Sequence, residues 1–361
     1  MNYRLQVLTP LLVGDGRSLS PIDYMVWRDQ VNVLNQERIF KLLSRGPRLD
    51  GYLNQLRRAE KLDFATWGGF AQNYAGRRIG FEHHSLTKHW ESTRAEYCHI
   101  PVFASVAAGP YVPGSALRGA LRTALIASRV NAGLLSTIDQ AQDPRVARRP
   151  GDLTERHADM MRALPVSDSC VAARDRFKVY MVRVSSLTGV GPKYTQTWKP
   201  NPVFAEMAEP GTEFRGAISE RAFFQDAVSM ESLRWKEKPS VSALFEAANQ
   251  YAGLALASHE SYAATAGLAD LGRTVAALRS RLAEVKENGK GCLLALGWGT
   301  GIYGKTAWPK LDDETYRRIL SRHAVYARAI RTGLPFPKTR RVVFMGDKPV
   351  SLPGWVLVEG E

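Results

Sequence analysis

The chain has 361 residues, 45% of them hydrophobic, and its 49 lysines and arginines against 35 aspartates and glutamates give a formal net charge of +14. The hydrophobic content suffices for a large core, and the surplus of positive charge favours a polyanionic partner; the alternative is a basic soluble enzyme whose charge is spread evenly. Three widely spaced cysteines argue against a disulfide framework and indicate a reducing compartment, so we expect a cytoplasmic protein. Pro10 and Gly14 interrupt the apolar stretch near the N-terminus, and no run of about eighteen apolar residues occurs, so the sequence predicts neither a signal peptide nor a membrane span.

The first hundred residues predict short elements followed by an insertion. Alternation of apolar and polar residues predicts strands, and apolar residues at helical spacing predict helices. The expected elements are strands at 3–8 and 31–34, a turn at 9–16, and helices at 37–43 and 53–62. Residues 64–100 are rich in glycine, histidine and aromatic residues and are predicted to form an irregular insertion.

The middle of the chain contains the clearest predicted helix, which runs from 115 to about 130. Residues 139–160 are polar and are expected to be a mobile insertion. Strands are predicted at 163–166, 177–184 and 214–218. A glycine- and proline-interrupted arm at 188–202 carries two lysines and two aromatic residues, namely Lys193, Tyr194, Trp198 and Lys199.

The C-terminal third of the sequence predicts helices first and strands after them. Alanine-rich helices are expected at 241–286, a further helix at 312–331, and strands at 341–345 and 355–358. Strands and helices are segregated rather than regularly alternating, which indicates an α+β fold. We place a boundary near residue 225, which separates an N-terminal part, 1–225, from a C-terminal helical and β part, 226–361.

The helix that begins near Ser115 predicts a basic stripe. At 100° per residue, Arg118, Arg122 and Arg129 fall within about 40° of one another, and Ser115 lies beside them. Ser115 follows Pro113-Gly114 and is a candidate N-cap. Phosphate groups could bind the helix N-terminus and the arginines together; the alternative is an amphipathic helix with a solvated arginine face.

A glycine-rich loop at 297–306 satisfies two nucleotide-binding patterns at once. It matches the phosphate-loop pattern through Gly299, Gly304, Lys305 and Thr306, and the dinucleotide pattern through Gly299, Gly301 and Gly304. Pro309 follows closely, and too few residues remain for the strands and the acidic ligand of a nucleotide-hydrolysing fold. We therefore interpret the loop as a turn after a buried strand that exposes backbone N–H groups, Trp298, Tyr303 and Lys305 to an anion.

Two ordered stretches resemble the RAMP superfamily of CRISPR proteins. Residues 112–124, VPGSALRGALRTA, resemble its signature helix, and residues 296–301, LGWGTG, resemble its C-terminal glycine-rich loop. Further pieces fit the same family, namely LTPL at 8–11, GDG at 14–16, LPVSDS at 164–169, EPGTEF at 209–214, PKTRR at 337–341 and PGW at 353–355. Their order over nearly the whole chain is most similar to the family of fifth subunits of type III-A (Csm) effector complexes.

The resemblance implies a ferredoxin-like (RRM-like) core, elaborated by insertions, that binds guide RNA without reading its sequence and caps the protein filament at the crRNA 3′ end. It implies that Ser115, Arg118 and Arg122 hold guide phosphates. The arm at 188–202 would be the thumb-like hairpin that displaces a nucleotide, with Tyr194 and Trp198 stacking on bases. The implied partners are crRNA and neighbouring RAMP subunits, with target RNA and a trimming nuclease as further candidates. The RNA backbone would approach main-chain amides of the loop formed by Gly297, Trp298, Gly299, Thr300 and Gly301.

Two aspartates near the N-terminus are candidate catalytic residues. Asp15 and Asp23 lie in an N-terminal loop where related backbone subunits carry a catalytic aspartate, but Gly14-Asp15-Gly16 is more typical of a turn, and the resemblance implies a non-catalytic subunit. No cofactor is expected. The alternative is a RAMP-type endoribonuclease that processes precursor crRNA, for which the histidines nearest in sequence to the glycine loop are His259 and His323.

A histidine-rich segment is the one candidate zinc site. It contains His83, His84, His89, Cys98 and His99. The spacing lacks a Cys-x-x-Cys or His-x-x-x-His element, so we do not predict a metal there.

Overall fold

The computed structural model describes residues 1–44, 49–58, 61–62, 74–130, 136, 159–190, 193–233, 235, 237–307, 314–322, 324–331 and 334–361. The strands of this part are β1 (Asn2–Val7), β2 (Ser18–Leu19), β3 (Tyr24–Trp27), β4 (Gln30–Leu34), β5 (Ala75–Gly80), β6 (Ile100–Pro101), β7 (Ser105–Val106), β8 (Gly109–Pro110), β9 (Phe177–Val190), β10 (Lys193–Trp198), β11 (Val203–Ala208), β12 (Glu213–Ala217), β13 (Gly291–Ala295), β14 (Thr339–Met345), β15 (Lys348–Ser351) and β16 (Trp355–Gly360). The helices are α1 (Gln36–Leu43), α2 (Leu49–Arg58), α3 (Ser85–Ser92), α4 (Gly114–Arg129), α5 (Ala227–Ser232), α6 (Val241–Thr265), α7 (Ala269–Asn288), α8 (Glu314–Ser321) and α9 (Ala324–Arg331). The predicted α+β class is confirmed.

A four-stranded antiparallel sheet joins the two ends of the chain in the order β12-β1-β16-β13. Alternation places Tyr3, Leu5 and Val7 on one face of β1, where they join the largest buried cluster. On the opposite face Arg4 is paired with Glu213 and Glu359. Strands from both sides of residue 225 pair here, so the two predicted parts share one sheet.

A second antiparallel sheet is built on the long strand β9, which pairs with β10, β11 and β14, while β15 pairs with β14. Val179 and Met181 are buried against an N-terminal unit formed by β3, β4, β5 and α3. Glu206 of β11 is fully buried, and it is ion-paired with Arg77 of β5, which fixes that unit to the second sheet.

The helices α6 and α7 cover β13 and form an antiparallel pair with a short connection at 266–268. Ser240 caps α6 by accepting a hydrogen bond from the backbone N–H of Ala243. At the end of α7, Gly289 has a φ of 66°, a left-handed conformation that glycine adopts without strain. The first half of α6 packs on α4, and its second half packs on α7 and the segment after the glycine loop.

Several predicted boundaries were wrong. Residues 64–100 are not an irregular insertion where they are described, because β5 and α3 lie there and bury Phe81, Trp90 and Cys98 in the core. The predicted strand at 163–166 is a single bridge between Val166 and Ile218, because Pro165 has no N–H to donate to a ladder.

Other helices have different bounds from those predicted, and several elements were not predicted at all. The predicted helix at 53–62 is α2, which begins and ends earlier, and the helix predicted at 312–331 is two helices, α8 and α9. The prediction also missed strands β3, β11 and β15, the two-residue strands β2, β6, β7 and β8, and the helix α5. Residues 139–158 of the predicted polar insertion lie outside the described residues.

None of the helices in the described ranges combines the length and apolar character that crossing a membrane requires.

Candidate nucleic-acid interface

A cleft of about 640 Å³ lies where the glycine-rich loop meets the start of β14 and the helices α8 and α9. Its cationic lining residues are Lys305, Lys338, Arg340 and Arg341. Of the residues that the structure describes, no aspartate or glutamate lines it. Because the charged residues described in this lining are all cationic, we expect the cleft to attract an anion.

The glycines of the loop differ in what surrounds them. Gly297 has a φ of 81°, and a Cβ there would lie 2.3 Å from the carbonyl oxygen of Leu12. Trp298 donates its backbone N–H to that same oxygen over 2.7 Å, so this part of the loop is fixed to the N-terminal segment. Gly301 also has a positive φ, 73°, but a Cβ there would meet open space. Gly297 therefore serves packing, and Gly301 is the glycine at which a ligand backbone could approach.

Arg340 is the buried cation of the cleft, with a relative exposure of 7%. Its Nε donates to His259 Nδ1 over 2.9 Å, Nη1 donates to the carbonyl oxygens of Pro337 and Thr339, and Nη2 donates to Ser258 Oγ. The guanidinium also lies 4.5 Å from the centroid of the Tyr262 ring. Burial lowers the pKa of Arg340 from 12.5 to about 10, so the side chain stays charged at neutral pH.

His259 is held neutral next to that cation. Burial first, and the positive charge of Arg340 second, lower the pKa of His259 well below 6.5. Nδ1 accepts the hydrogen bond from Arg340, so the proton of the neutral ring lies on Nε2. Its ring contacts Tyr303 at a centroid distance of 5.4 Å. A neutral histidine adds no further charge to the cleft.

The predicted loop residues are divided between core and surface. Tyr303 was predicted to face an anion, but it is buried, and its hydroxyl accepts a hydrogen bond from Ser258 Oγ over 2.6 Å. Trp298 is partly buried and lies under the guanidinium of Arg341 at 5.2 Å. Lys305 is exposed. Residues Ile302–Gly304 form a 3-10 turn, and Lys305 forms its C-cap, so the phosphate-loop geometry, in which lysine opens a long helix, is absent from this described stretch.

The arginine stripe of α4 forms, but each arginine has a carboxylate partner. Arg118 Nη2 and Arg122 Nε lie 3.4 and 3.2 Å from the same oxygen of Asp159, and Arg129 lies 3.6 Å from Glu237. Two arginines share one aspartate, so Arg118, Arg122 and Asp159 together keep a net positive charge. The stripe is a second basic surface, weaker than three free arginines would be.

The N-terminus of α4 is capped differently from the prediction. The helix begins at Gly114, and Ser115 is an exposed residue of its first turn, so Ser115 is not the N-cap. Asp168 accepts a hydrogen bond from the Gly114 N–H over 2.7 Å. A Cβ at Gly114 would lie 2.4 Å from the Val166 carbonyl oxygen, which explains the glycine. Because a carboxylate already occupies this terminus, it is a poor phosphate site.

The predicted arm is a β-hairpin that continues the second sheet. Residues 193–198 pair with Val190 to Ser185, and the ring of Trp198 contacts Phe344 at 5.1 Å. Tyr194 and Trp198 are partly buried, while Lys199 is exposed. The side chain of Lys193 lies outside what the structure describes. The base of the hairpin is therefore a packed part of the sheet.

The residues considered for catalysis and for metal binding make hydrogen bonds and ion pairs within the protein. Asp15 accepts hydrogen bonds from the backbone N–H and the Nε of Arg17, at 3.1 and 2.8 Å, and the side-chain bond from Arg17 lowers the pKa of Asp15. His89 lies 2.7 Å from Asp347, and the buried Cys98 thiol donates to carbonyl groups of its own loop. Within the described ranges, no three or more of the His, Cys, Asp and Glu side chains are grouped so as to hold a metal.

Residues 337–341 are not among the site residues predicted from the sequence. A run of Lys-Thr-Arg-Arg after proline gave a signal of positive charge, but its position beside the glycine loop depends on the pairing of β14 with β9 and on α6, which carries His259. Lys338, Arg340 and Arg341 are the functional candidates that the sequence alone did not bring together.

Comparisons with known proteins agree with this fold. A sequence profile of the RAMP superfamily matches residues 4–227, well over half of the chain. The chain is similar to one chain in the cryo-EM structure of a Csm–crRNA–target RNA ternary complex in a type III-A CRISPR-Cas system, with a TM-score of 0.67, 23% sequence identity, and coverage of 99% of this chain and 100% of that one. It is also similar to the crystal structure of T. onnurineus Csm5, with a TM-score of 0.63, 20% identity, and coverage of 98% and 99%. No curated protein matches the sequence.

Proposed function

This chain belongs to the RAMP superfamily, and we propose that it is a non-catalytic RNA-binding subunit of a type III-A CRISPR effector complex, where it caps the filament at the crRNA 3′ end and holds the guide by its phosphates. The observation that carries this proposal is the cleft beside the glycine-rich loop, where the described lining includes four cationic residues. Phosphate contacts position RNA without reading its sequence, as a guide-binding subunit requires. Its partners would be crRNA and neighbouring RAMP subunits, in the cytoplasm.

Three further features that the family resemblance implies are also part of the proposal, namely the ferredoxin-like core, the thumb-like hairpin and the arginines of α4. Helix α4 and β1 contribute Leu117, Leu121 and Leu5 to one buried cluster, which fits a ferredoxin-like core. The hairpin of β9 and β10 would be the thumb that displaces a nucleotide, with the exposed Lys199 at its base as one RNA contact. The pair of Arg118 and Arg122 would hold phosphates in competition with Asp159.

The experiment is a titration of the purified protein with labelled single-stranded RNAs of unrelated sequence across a salt series, followed by a gel. We expect intact RNA, affinity independent of sequence, and a logarithmic salt slope of roughly −0.7 for each phosphate contact. Arg341→Glu should weaken binding, while Lys290→Glu, an exposed residue outside the cleft, should not. A strong preference for one sequence would overturn the proposal, and competition by ATP with magnesium would restore the phosphate-loop interpretation.

The alternative function is endoribonuclease activity, and one observation favours testing it, namely that His259 lines the cleft. His323 lies outside the described residues. His259 Nδ1 is occupied by Arg340, and the ring is almost fully buried, so we expect no cleavage of repeat RNA. Cleavage by the unmodified protein that is lost in His259→Gln would establish the enzyme instead.

The non-catalytic part of the proposal has a separate test at Asp15. Because the Asp15 carboxylate is bound to Arg17 in a turn, Asp15→Ala should leave target cleavage by an assembled effector complex unchanged. Complete loss of cleavage with normal assembly would make Asp15 catalytic.

A further inference from the structure

Phe223 is the most exposed aromatic residue in the described part of the chain, with a relative exposure of 71%. A single exposed apolar side chain is common on protein surfaces and by itself indicates no function. This ring, however, has a packed neighbour. It contacts the ring of Phe224 at a centroid distance of 5.1 Å and an interplanar angle of 85°, and Phe224 is buried against Trp235 at 5.6 Å. The Phe223 ring is therefore presented to solvent from a fixed part of the molecule.

Exposed arginines lie next to this ring. The guanidinium of Arg162 lies 5.4 Å from the centroid of Phe224, the same ring that Phe223 contacts. The backbone N–H of Arg221 donates to the carbonyl oxygen of Ala163 over 2.9 Å, which fastens the segment that carries Phe223 to the segment that carries Arg162. Arg162 and Arg221 are both exposed, and neither is ion-paired with a described carboxylate.

The 3-10 turn at Met160–Arg162 connects this place to the arginine stripe of α4. Asp159 caps the turn, because one of its carboxylate oxygens accepts the backbone N–H of Met161 over 3.1 Å. The other carboxylate oxygen is the one that Arg118 and Arg122 share. The exposed ring, the arginine of the turn and the arginines of α4 are thus joined by a continuous series of contacts.

An open ring beside guanidinium groups is the combination by which proteins hold single-stranded RNA. Bases stack on aromatic rings, and arginines contact the phosphates. The carboxylates that flank Phe223 in the sequence are already bound within the protein, because Glu220 accepts the N–H of Val241 and Asp226 accepts the N–H of Ser229. A purely apolar partner would leave the arginines without an anion, whereas RNA supplies both a ring and phosphates.

We propose that one base of single-stranded RNA stacks on the ring of Phe223 while neighbouring phosphates contact Arg162 and the arginines of α4. This inference rests on the proposed RNA-binding function, and it adds a contact with a base at a place outside the cleft beside the glycine-rich loop. Every base has a π face, so stacking on this ring accepts any guide sequence.

The test uses the full chain and short single-stranded RNAs in which 2-aminopurine, a fluorescent base whose emission depends on stacking, replaces one base at a time. We expect the emission at one position to change on binding. Phe223→Ala should remove that change and lower the affinity about fivefold or more. Phe223→Trp should keep both, and Phe223→Leu, which has apolar area but no aromatic face, should lose both. The exposure of Phe223 predicts normal folding of all three variants, which thermal unfolding checks.

Two matched controls remove exposed apolar groups elsewhere. Phe40→Ala deletes an exposed ring of α1, and Val228→Ala shortens an exposed aliphatic side chain of α5; both should leave RNA affinity and emission unchanged. Unchanged binding in Phe223→Ala, an equal loss in Phe40→Ala, or full activity of Phe223→Leu would overturn the proposal. Normal RNA binding with failed assembly into an effector complex would make Phe223 a protein contact instead.

The same measurements separate this proposal from the proposed function. If Arg341→Glu weakens RNA binding while Phe223→Ala does not, stacking on Phe223 is refuted and the proposed function stands. If the unmodified protein binds none of the RNAs, both fail.

Discussion

Gly297 and Gly301 both have a positive φ but different surroundings. A residue other than glycine is strained at either position, because both have a positive φ, and at Gly301 the ψ of −158° lies in a region that almost only glycine adopts. At Gly297 the added Cβ would also collide with the Leu12 carbonyl oxygen, whereas the space before Gly301 is open. One position is thus constrained by the packing of the loop on the N-terminal segment, and the other only by its backbone angle.

We therefore expect backbone strain to lower the free energy of unfolding by about 1–3 kcal/mol in Gly301→Ala and in Gly297→Ala, and the collision with Leu12 to cost Gly297→Ala roughly a further 1–3 kcal/mol. Urea unfolding of the two variants and the unmodified protein measures the difference. Gly301→Ala is the matched control, since it changes the same residue type in the same loop. Equal losses would show that the contact with Leu12 does not constrain the loop.

The lowered pKa of His259 predicts that the stability of the protein depends on pH. Its pKa in the folded protein is well below the unfolded value of about 6.5, so the unfolded chain binds the extra proton first as the pH falls. The contribution to stability is intact above pH 6.5 and is lost below it, by up to about 1.4 kcal/mol per pH unit. His259→Gln, whose side-chain oxygen can accept from Arg340, should remove that part of the slope between pH 6.5 and 5.5 in urea unfolding. An unchanged slope would contradict this assignment.

At the scale of elements, helix α4 shows which features the sequence predicts well. Its periodic apolar residues predict the helix within one residue at each end, and its arginine spacing predicts the stripe. The cap comes from Asp168, 54 residues further along the chain, and no local pattern indicates it. In the same way, the burial of Arg340 depends on His259 and Ser258 of α6, so its role could only be seen in the folded protein.

The cap of α4 gives a stability prediction. Asp168→Ala should lower the free energy of unfolding by about 1 kcal/mol, because the N–H of Gly114 loses its acceptor. Ser115→Ala should change it by less than about 0.5 kcal/mol, since Ser115 is exposed and does not cap the helix. Thermal unfolding of both variants compares them, and a larger loss for Ser115→Ala would restore Ser115 as the cap.

The pairing of Arg118 and Arg122 with Asp159 gives a binding prediction. Asp159→Asn keeps an oxygen for the backbone N–H of Met161 but removes the negative charge that RNA phosphates would compete with. Partly exposed ion pairs contribute up to about 1 kcal/mol, so RNA affinity should rise by up to about fivefold at low salt. Fluorescence anisotropy measures the change. Unaltered or weaker RNA binding would place the RNA away from α4.

At the scale of the whole molecule, β16 lies between β1 and β13 at the centre of the first sheet, so the part before residue 225 lacks an internal strand when it is alone. We expect residues 1–225 expressed separately to show no cooperative thermal transition, because the apolar face of β1 loses Val356 and Val358 as neighbours. Co-expression with residues 226–361 should restore the transition. A cooperative transition of the first fragment alone would show that the boundary near 225 separates independent domains.

The order of strands in that sheet also bears on how the protein is made. Synthesis runs from the N-terminus, so Leu5 leaves the ribosome long before Val358, the residue with which it pairs. During that interval the edge of β1 that later receives β16 has unpaired N–H and C=O groups, a surface on which other strands can add. Contacts of such high sequence separation form slowly. We therefore expect nascent chains of this protein to be prone to pair with one another until β16 has been translated, most of all when many ribosomes translate one message.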